Sequence, residues 1–420
     1  MVRQALLRII TVAFVIAIVP ADMHAQEGLR DRDRTFEASR KIATDLQRAR
    51  FHYGPFYVLS NLELSDIGYN QTLLSPTTSS DGAISLGIRA PQRLYFVPTK
   101  KQIYSFELTP QYAFATDKLS NGQAGYLGRA DAQYLLNHLY LDVYGLRADE
   151  ARSATSEINR LVTVRENTVG VAGEFRYSSR TSASFSAASR KFEYPTDRLQ
   201  PERIPVSLLD RREHGYRVSL QHKTFPLTSL LVTGEYGSYS FDRATYKNAH
   251  RTYAGAGAVR DSGRATLRVE AGLAKLHFLD PQSPDFRGVV GNLQGTYQLT
   301  GRSQATAELL RDTDFSIFAD RNNFYVSDRA AVAVTYIATK RLSLNASTSV
   351  TRNRYPVPSV DRYGVLHRRQ DTAIFPAVGW LYTRRRITGG FDIGYYKRVS
   401  NFDVDESDGI RLILHLSLTP

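Results

Sequence analysis

Residues 410–418, Ile-Arg-Leu-Ile-Leu-His-Leu-Ser-Leu, carry the pattern that decides the fold class. Every second position is apolar: Ile410, Leu412, Leu414, Leu416 and Leu418 alternate with positions that include Arg411, His415 and Ser417. Successive side chains of a β-strand point to opposite sides, so this alternation predicts a strand with one apolar face and one polar face.

The same alternation recurs upstream. Between residues 104 and 114, Tyr104, Phe106, Leu108, Tyr112 and Phe114 share one face, and Ser105, Glu107, Thr109 and Gln111 share the other. Similar segments occur near residues 169–177, 216–221, 267–273 and 342–350. From Pro55 onward the sequence has no run of 18 apolar residues. The main domain is therefore predicted to be all-β.

The lengths of the connections favour a membrane barrel over a soluble sandwich. Short basic turns are predicted at 98–102, 137–138, 178–181, 225–229, 261–264, 300–303, 339–341 and 383–386. They alternate with longer polar loops at 71–81, 117–125, 149–163, 194–212, 278–286 and 353–370. Short turns at one end and long loops at the other are typical of outer-membrane barrels, whose closure pairs every backbone group in hydrocarbon.

Eight short turns, with a single strand at each end of the chain, predict the architecture. It is a transmembrane antiparallel up-and-down β-barrel of about 18 strands (16–18) spanning residues 53–420, with short periplasmic turns and longer extracellular loops. Aromatic residues near the short turns would form an interfacial girdle: Phe225, Tyr297, Tyr336, Trp380 and Tyr382.

The amino terminus predicts export to the outer membrane. Residues 1–25 resemble a signal peptide, with Arg3 and Arg8 before an apolar segment at 9–20 that is too short to cross ~30 Å of hydrocarbon. A buried core helix is the alternative for this segment. Residues 26–52 form a periplasmic segment with helical spacing, which could act as a plug, a docking handle or a solvated tail. After cleavage, the chain is predicted to be integral to the outer membrane of a Gram-negative bacterium.

Composition and motifs argue against an enzyme. The chain has no Cys, which excludes thiolate catalysis, Cys-ligated zinc and disulfides. It contains no H-E-x-x-H, G-x-S-x-G or Walker motif, and Gly255-Ala256-Gly257 fails the dinucleotide pattern. No catalytic residue, cofactor or metal site is predicted, although His214 and His367 could each belong to a pair assembled from separate strands. The net charge of +13 would suit nucleic acid, but an exported chain is poorly placed to meet it.

A barrel of this size leaves room for water, so charged residues on the polar faces are candidates for the lumen lining. These candidates are Glu107, Glu174, Arg176, Arg217, Lys223, Glu235, Arg268, Glu270, Glu308, Asp392 and Arg411. A slip of one residue in register would turn any of them outward. The alternative is that they only solvate the wall and balance one another. Arg211-Arg212 and the arginines within 362–369 could hold lipid phosphates or an acidic polymer, or could be solvated loop ends.

Several short segments resemble β-barrel porin family 2, a group of bacterial outer-membrane barrels. They are residues 54–58 leading to 68–70, Tyr-Gln-Leu-Thr-Gly-Arg-Ser at 297–303, and Tyr-Tyr-Lys-Arg-Val-Ser-Asn at 395–401. The resemblance implies an outer-membrane pore associated with secretion of exopolysaccharide or capsule, and it implies no catalytic residues. One departure is the carboxyl terminus, which ends at Pro420 instead of the aromatic residue usual in such barrels.

Three functions follow from these expectations. The first is an outer-membrane conduit for an exopolysaccharide or capsular polysaccharide, with the polymer as cargo and a short periplasmic polysaccharide-export protein as partner. The second is a general diffusion porin for small polar solutes. The third is a structural or adhesive barrel with a blocked lumen. Outer-membrane lipids and lipopolysaccharide are expected around the barrel in each case.

Overall fold

The computed structural model describes residues 42–47, 49, 51–70, 83–115, 122–152, 155–157, 162–195, 206–318, 322–360, 364–402 and 407–418. The predicted signal peptide and most of the predicted segment 26–52 lie outside these residues. Of that segment, residues 42–47 form a short helix. Within the described residues, no helix is long and apolar enough to cross a membrane.

The described residues form 21 β-segments in one sheet. They are β1 (Phe51–Tyr53), β2 (Phe56–Ser60), β3 (Leu62–Asn70), β4 (Ala83–Arg89), β5 (Gln92–Thr99), β6 (Gln102–Ala115), β7 (Gln123–Leu135), β8 (Leu139–Arg152), β9 (Val162–Arg176), β10 (Thr181–Glu193), β11 (Arg211–Phe225), β12 (Thr228–Phe241), β13 (Ala249–Asp261), β14 (Ala265–Phe278), β15 (Phe286–Gln298), β16 (Ser303–Phe315), β17 (Phe324–Ile337), β18 (Leu342–Val360), β19 (Leu366–Arg384), β20 (Ile387–Ser400) and β21 (Ser407–Leu418). Two short 3₁₀ helices lie between strands, at Val206–Leu209 and Thr245–Lys247.

The sheet closes into a barrel of 18 wall strands. Strands from β6 onward pair antiparallel with their neighbours in chain order, and β21 pairs with β3 to close the ring. Segments β4 and β5 are two parts of one wall strand because both pair with β6. Segments β2 and β3 form another, since β2 pairs with β5 and β3 pairs with β4. The predicted architecture and strand number are confirmed.

The apolar faces point outward. Phe106, Val218 and Leu414 are 49%, 61% and 43% exposed, although they are large and apolar. Their sequence neighbours face inward and contact distant parts of the chain: Arg217 binds Glu270 on another strand. An apolar outer surface and a polar interior are what a lipid-embedded barrel requires.

The connections fall into two classes, one at each end of the barrel. Eight short turns join the strands at what we call the short-turn end, as the sequence predicts. The five predicted girdle aromatics, Phe225, Tyr297, Tyr336, Trp380 and Tyr382, are all exposed on the outer surface near these turns. The other end carries the longer connections and is called the long-loop end.

The predicted loop at 353–370 is wrong over most of its length. β18 continues to Val360 and β19 begins at Leu366, so each strand has 19 residues. Two prolines in this part, Pro356 and Pro358, suggest a loop because proline cannot donate to a sheet ladder. The structure accommodates them where the β18–β19 register shifts between Arg354 and Pro358.

Two internal clusters fix what lies inside the barrel. At the long-loop end, Tyr239, Phe241, Phe278, Phe315 and Phe324 pack together with Leu209 of the first 3₁₀ helix. At the short-turn end, Ile42 of the helix 42–47 packs against Tyr95 and Ile103 of the inner wall. Both ends of the lumen are therefore partly filled by the chain itself.

Candidate pore lining and mouth

All eleven candidate lumen residues lie on inward-facing positions of the wall. Their phase follows from the exposed apolar residues that flank them, such as Phe175 beside Glu174 and Ile410 beside Arg411. Lys223 lies near a short turn and is exposed. Whether any of these residues acts on a solute stays a prediction.

Four of the candidates belong to one group of charges, here called the inner ion network. Arg217 donates to Glu270 at 3.0 Å and is also paired with Glu235, and Arg268 lies 3.6 Å from Glu270. The Tyr253 hydroxyl donates to Glu270 at 3.2 Å. The Glu270 side chain is only 3% exposed, so this network is largely shielded from water.

The network continues through two residues that the sequence analysis missed. Arg251 donates to Glu235 at 2.9 Å and to Asp312 at 3.0 Å. Arg251 lies on β13, where the Ala- and Gly-rich centre shows no clear alternation of apolar and polar residues. Asp312 follows Leu310, an apolar residue that is buried on the inner face and breaks the pattern. Tyr253 and Arg251 are two residues apart on β13 and therefore share a face. This spacing is the one signal in the sequence that could have identified Arg251.

The remaining candidates have separate surroundings. Glu107 pairs with Arg93, which also reaches Asp45 of the helix 42–47 at 3.4 Å. Arg176 pairs with Glu174 on its own strand at 3.0 Å. Asp392 accepts hydrogen bonds from Asn345 at 3.1 Å and lies 2.8 Å from His415 Nε2. The structure therefore distributes these charges around the wall.

Residues 155–157, here called the bridge, connect two distant sides of the barrel. They belong to the connection between β8 and β9, yet they contact β17, β18 and β20. Seven wall strands separate β9 from β17 in one direction, and five separate β20 from β8 in the other. The bridge therefore reaches across the mouth of the lumen at the long-loop end.

Glu157 is the main anchor of the bridge. Its carboxylate accepts hydrogen bonds from the Tyr355 hydroxyl at 2.7 Å, the Ser316 hydroxyl at 2.8 Å and the Ile317 amide at 2.7 Å. Arg398 donates to the Glu157 carbonyl oxygen at 2.7 Å and to Asp371 at 2.6 Å. The side of the barrel that receives Glu157 is thus built from polar inner-wall residues.

Ser156 gives the bridge a second attachment. Its hydroxyl lies 2.9 Å from the Tyr325 hydroxyl and accepts a hydrogen bond from Asn353 at 2.8 Å. Tyr325 is fully buried, so the bridge excludes water where it meets the wall. No local pattern predicts the contacts of the bridge, since they join residues about 160 to 240 positions apart.

Burial raises the pKa of the Glu157 carboxyl from 4.5 to about 7, and its three hydrogen bonds oppose the rise only in part. A carboxyl group with this pKa changes its charge near neutral pH. The bridge therefore carries a titratable anchor.

The residues that the structure describes form no candidate metal site. They contain no group of three His, Asp or Glu side chains able to hold a metal ion. His214 lies on β11, and His367 lies on β19, where its ring packs against Phe402 with 4.7 Å between the ring centroids; a catalytic pair that includes either histidine stays a hypothesis.

No protein-family model matches the sequence, and no curated protein is detectably similar to it. Membership of β-barrel porin family 2 therefore stays a prediction. Solved structures do match the fold. The outer membrane protein OpdK of Pseudomonas aeruginosa is 10% identical, with 86% of this chain and 99% of that chain covered and a TM-score of 0.50.

Two further structures are similar over the same share of the chain. OccAB3 of Acinetobacter baumannii is 8% identical, with 86% and 99% of the two chains covered and a TM-score of 0.50. A BenF-like porin from Pseudomonas fluorescens Pf-5 is 13% identical, with the same coverage and a TM-score of 0.49. At these identities the similarity shows the fold, which is that of outer-membrane porins.

Proposed function

We propose that the protein is an outer-membrane channel for small polar solutes, narrowed at its long-loop end by the bridge. The observation that carries the proposal is the anchoring of Glu157 to Tyr355, Ser316 and Ile317 across a lumen whose wall bears fixed charges. An 18-strand barrel is wide enough to conduct water, and a segment folded across it restricts what can pass.

The inner wall suits polar solutes because it offers both signs of charge at close range. Arg217 and Arg251 both pair with Glu235, so the inner ion network holds alternating charges along β11 to β16; because these side chains are largely shielded, they act on the lumen mainly through their electric field. Charges held on a low-dielectric wall concentrate the electric field in the lumen. A solute can then exchange water for several weak contacts without a deep energy minimum.

Polysaccharide export, which the family resemblance implied, makes a different demand on this mouth. A continuous polymer would have to displace residues 155–157 from Tyr325, Asn353 and Tyr355 and keep them displaced during transport. Export would thus need a partner that opens the bridge. A small solute can pass beside the bridge or during brief openings.

Planar-bilayer conductance and liposome swelling with sugars of graded size test the proposal. The purified wild-type protein should form open pores without a partner and admit small sugars but exclude large ones. Glu157→Ala should raise both the conductance and the size limit because it removes the anchor. Asp242→Ala, which changes an exposed carboxylate at the same end, is the matched control and should behave like wild type.

A barrel that stays closed until a periplasmic export protein is added would favour polysaccharide export. A size limit that is identical in wild type and Glu157→Ala would show that the bridge does not restrict the channel. The two results can be told apart because the first concerns opening and the second concerns selection by size.

A further inference from the structure

The outer surface of the barrel has a groove across β6 to β9. Phe106, Ala130, Gly145 and Val169 are directly opposite one another on four adjacent strands, all facing outward. The two small residues lie between two large ones, Phe106 at 49% and Val169 at 64% exposure. The result is a depression in an otherwise bulky apolar surface.

The groove is large enough to hold part of a ligand. Its volume is about 610 Å³, and Gly128 extends it toward the long-loop end. A Cβ atom added to Gly145 would have its nearest neighbour, the Thr168 carbonyl oxygen, at 3.9 Å. The space beside Gly145 is therefore open, and no backbone contact requires a glycine there.

A row of cations borders the groove. The row crosses β7 to β11, and each of its residues is the register partner of the next. In order they are Gly128, Arg147, Asn167, Lys191 and Arg212. Arg147 and Arg212 are exposed and face outward like Val169 and Tyr216. Three interstrand spacings separate them, which is about 14 Å between their backbones. Their long side chains can therefore approach a single headgroup.

Two of these cations are available for a ligand. Lys191 pairs with Glu193 at 2.6 Å. Within the described part of the chain, the side chains of Arg147 and Arg212 have no ion-pair or hydrogen-bond partner. Arg211 differs from Arg212 because it points inward, where it pairs with Glu213 at 2.7 Å.

The row lies where the outward-facing residues change from apolar to charged along the strands. On the short-turn side, Val143, Val169 and Val218 are exposed and apolar. On the long-loop side, the next outward row has an ion pair between Arg165 and Asp149 at 3.1 Å. The groove therefore lies within the apolar band, and the cations lie at its upper edge.

We propose that this surface binds a phosphorylated glycolipid of the outer leaflet, with an acyl chain in the groove and phosphate groups on Arg147 and Arg212. The inference rests on the proposed function in one respect, the location of the barrel in the outer membrane. Arginine binds phosphate oxygens in bidentate fashion, and unpaired arginines at headgroup level are suited to an anionic lipid. A zwitterionic phospholipid would supply the chain but not the excess negative charge.

The chain offers a matched control on the other side of the wall. Lys275 and Arg287 are opposite each other on β14 and β15, face outward and are exposed. The residues beside them toward the apolar band are Leu273 and Val289, which are 60% and 59% exposed. This pair has the same charges near the long-loop end, but the outward residues directly beside it, Leu273 and Val289, are large, whereas Gly145 lies beside Arg147.

Native mass spectrometry of the detergent-solubilised full chain tests the site, with bisphosphorylated lipid A as the probe. Wild type should retain lipid A, and Arg147→Glu/Arg212→Glu should bind it at least about tenfold more weakly, the loss expected for two charge-assisted contacts. Gly145→Leu fills the groove without changing charge and should weaken binding too. Lys275→Glu/Arg287→Glu should bind like wild type.

Two results with the variants would overturn the site, and a third with a modified lipid would exclude its phosphate contacts. One is equal loss in the two charge-reversed variants, which would mean general attraction of anions to the barrel. The other is retention of lipid A by Arg147→Glu/Arg212→Glu. Dephosphorylated lipid A should bind wild type weakly, and equal binding of both lipids would exclude the phosphate contacts. Conductance in bilayers that lack lipid A reports the proposed channel separately, so the failure of one does not imply failure of the other.

Discussion

The Tyr355 hydroxyl donates a 2.7 Å hydrogen bond to Glu157, although Tyr355 belongs to β18 and Glu157 to the connection between β8 and β9. The contact joins distant sides of the mouth, together with the hydrogen bonds that Ser316, Tyr325, Asn353 and Arg398 make to the bridge. A hydrogen bond at this position therefore acts on the opening itself, and less on the stability of the wall.

Tyr355→Phe should make the bridge open more often. The substitution removes one donor to Glu157, and an average hydrogen bond contributes about 1 kcal/mol, or roughly a fivefold change in the ratio of open to closed states. Single-channel recordings would measure the ratio of open to closed time. Tyr395→Phe removes a hydroxyl that donates to Asp408 on the outer surface and should leave the ratio unchanged.

The conductance should rise with pH between about 5 and 8. The pKa of Glu157 is about 7 in the bridge and 4.5 in water. A raised carboxyl pKa means that the bridged state is fully stabilised below pH 4.5 and loses that stabilisation as pH rises through about 7. The titratable and charged groups around Glu157 are Tyr325, Tyr355, Arg369, Asp371 and Arg398.

Glu157→Gln keeps a polar side chain but cannot ionise, so its conductance should not change over this pH range. Conductance measured in steps from pH 5 to 8 in both proteins would check the prediction. If the conductance of Glu157→Gln rose by the same amount over this pH range, the titration would belong to another group.

Arg251→Ala should destabilise the barrel and shift its ion selectivity. Arg251 is 11% exposed and neutralises Glu235 and Asp312, so its removal leaves two shielded carboxylates with fewer partners. The loss of one partner from such a network costs about 3–5 kcal/mol. The temperature at which the barrel unfolds in detergent should fall. The reversal potential in a salt gradient should shift in the direction that indicates a greater preference for cations over anions. Lys340→Ala, in an exposed short turn, should change neither quantity.

Ile42→Asp should detach the helix 42–47 from the wall and enlarge the lumen at the short-turn end. Ile42 is 8% exposed against Tyr95 and Ile103, and an unpaired carboxylate there would have to leave the apolar contact. Asp45 would then lose its hydrogen bond from Tyr95 at 3.0 Å. Conductance should rise in the variant. Ile42→Leu conserves volume and should conduct like wild type, and a rise in that variant would refute the explanation.

The alternation of residues predicted the wall far better than the mouth. Strands such as β6 and β21 must present one face to hydrocarbon, and their sequences record that demand at every second residue. The β18–β19 hairpin continues past Arg354 through Pro356 and Pro358, where the sequence shows no such alternation and therefore predicts a loop. The bridge was missed because Ser156 and Glu157 carry no local pattern, and their partners are set by closure of the whole ring.

The seam between β3 and β21 has a consequence for biosynthesis. It places Leu62 opposite Leu418, so the first and the last wall strand pair with each other. A chain that lacks β21 would have two unpaired edge strands, and such strands can pair with strands of other molecules. Pairing of β3 with β21 therefore removes both edges in a single step and leaves the wall without an open strand.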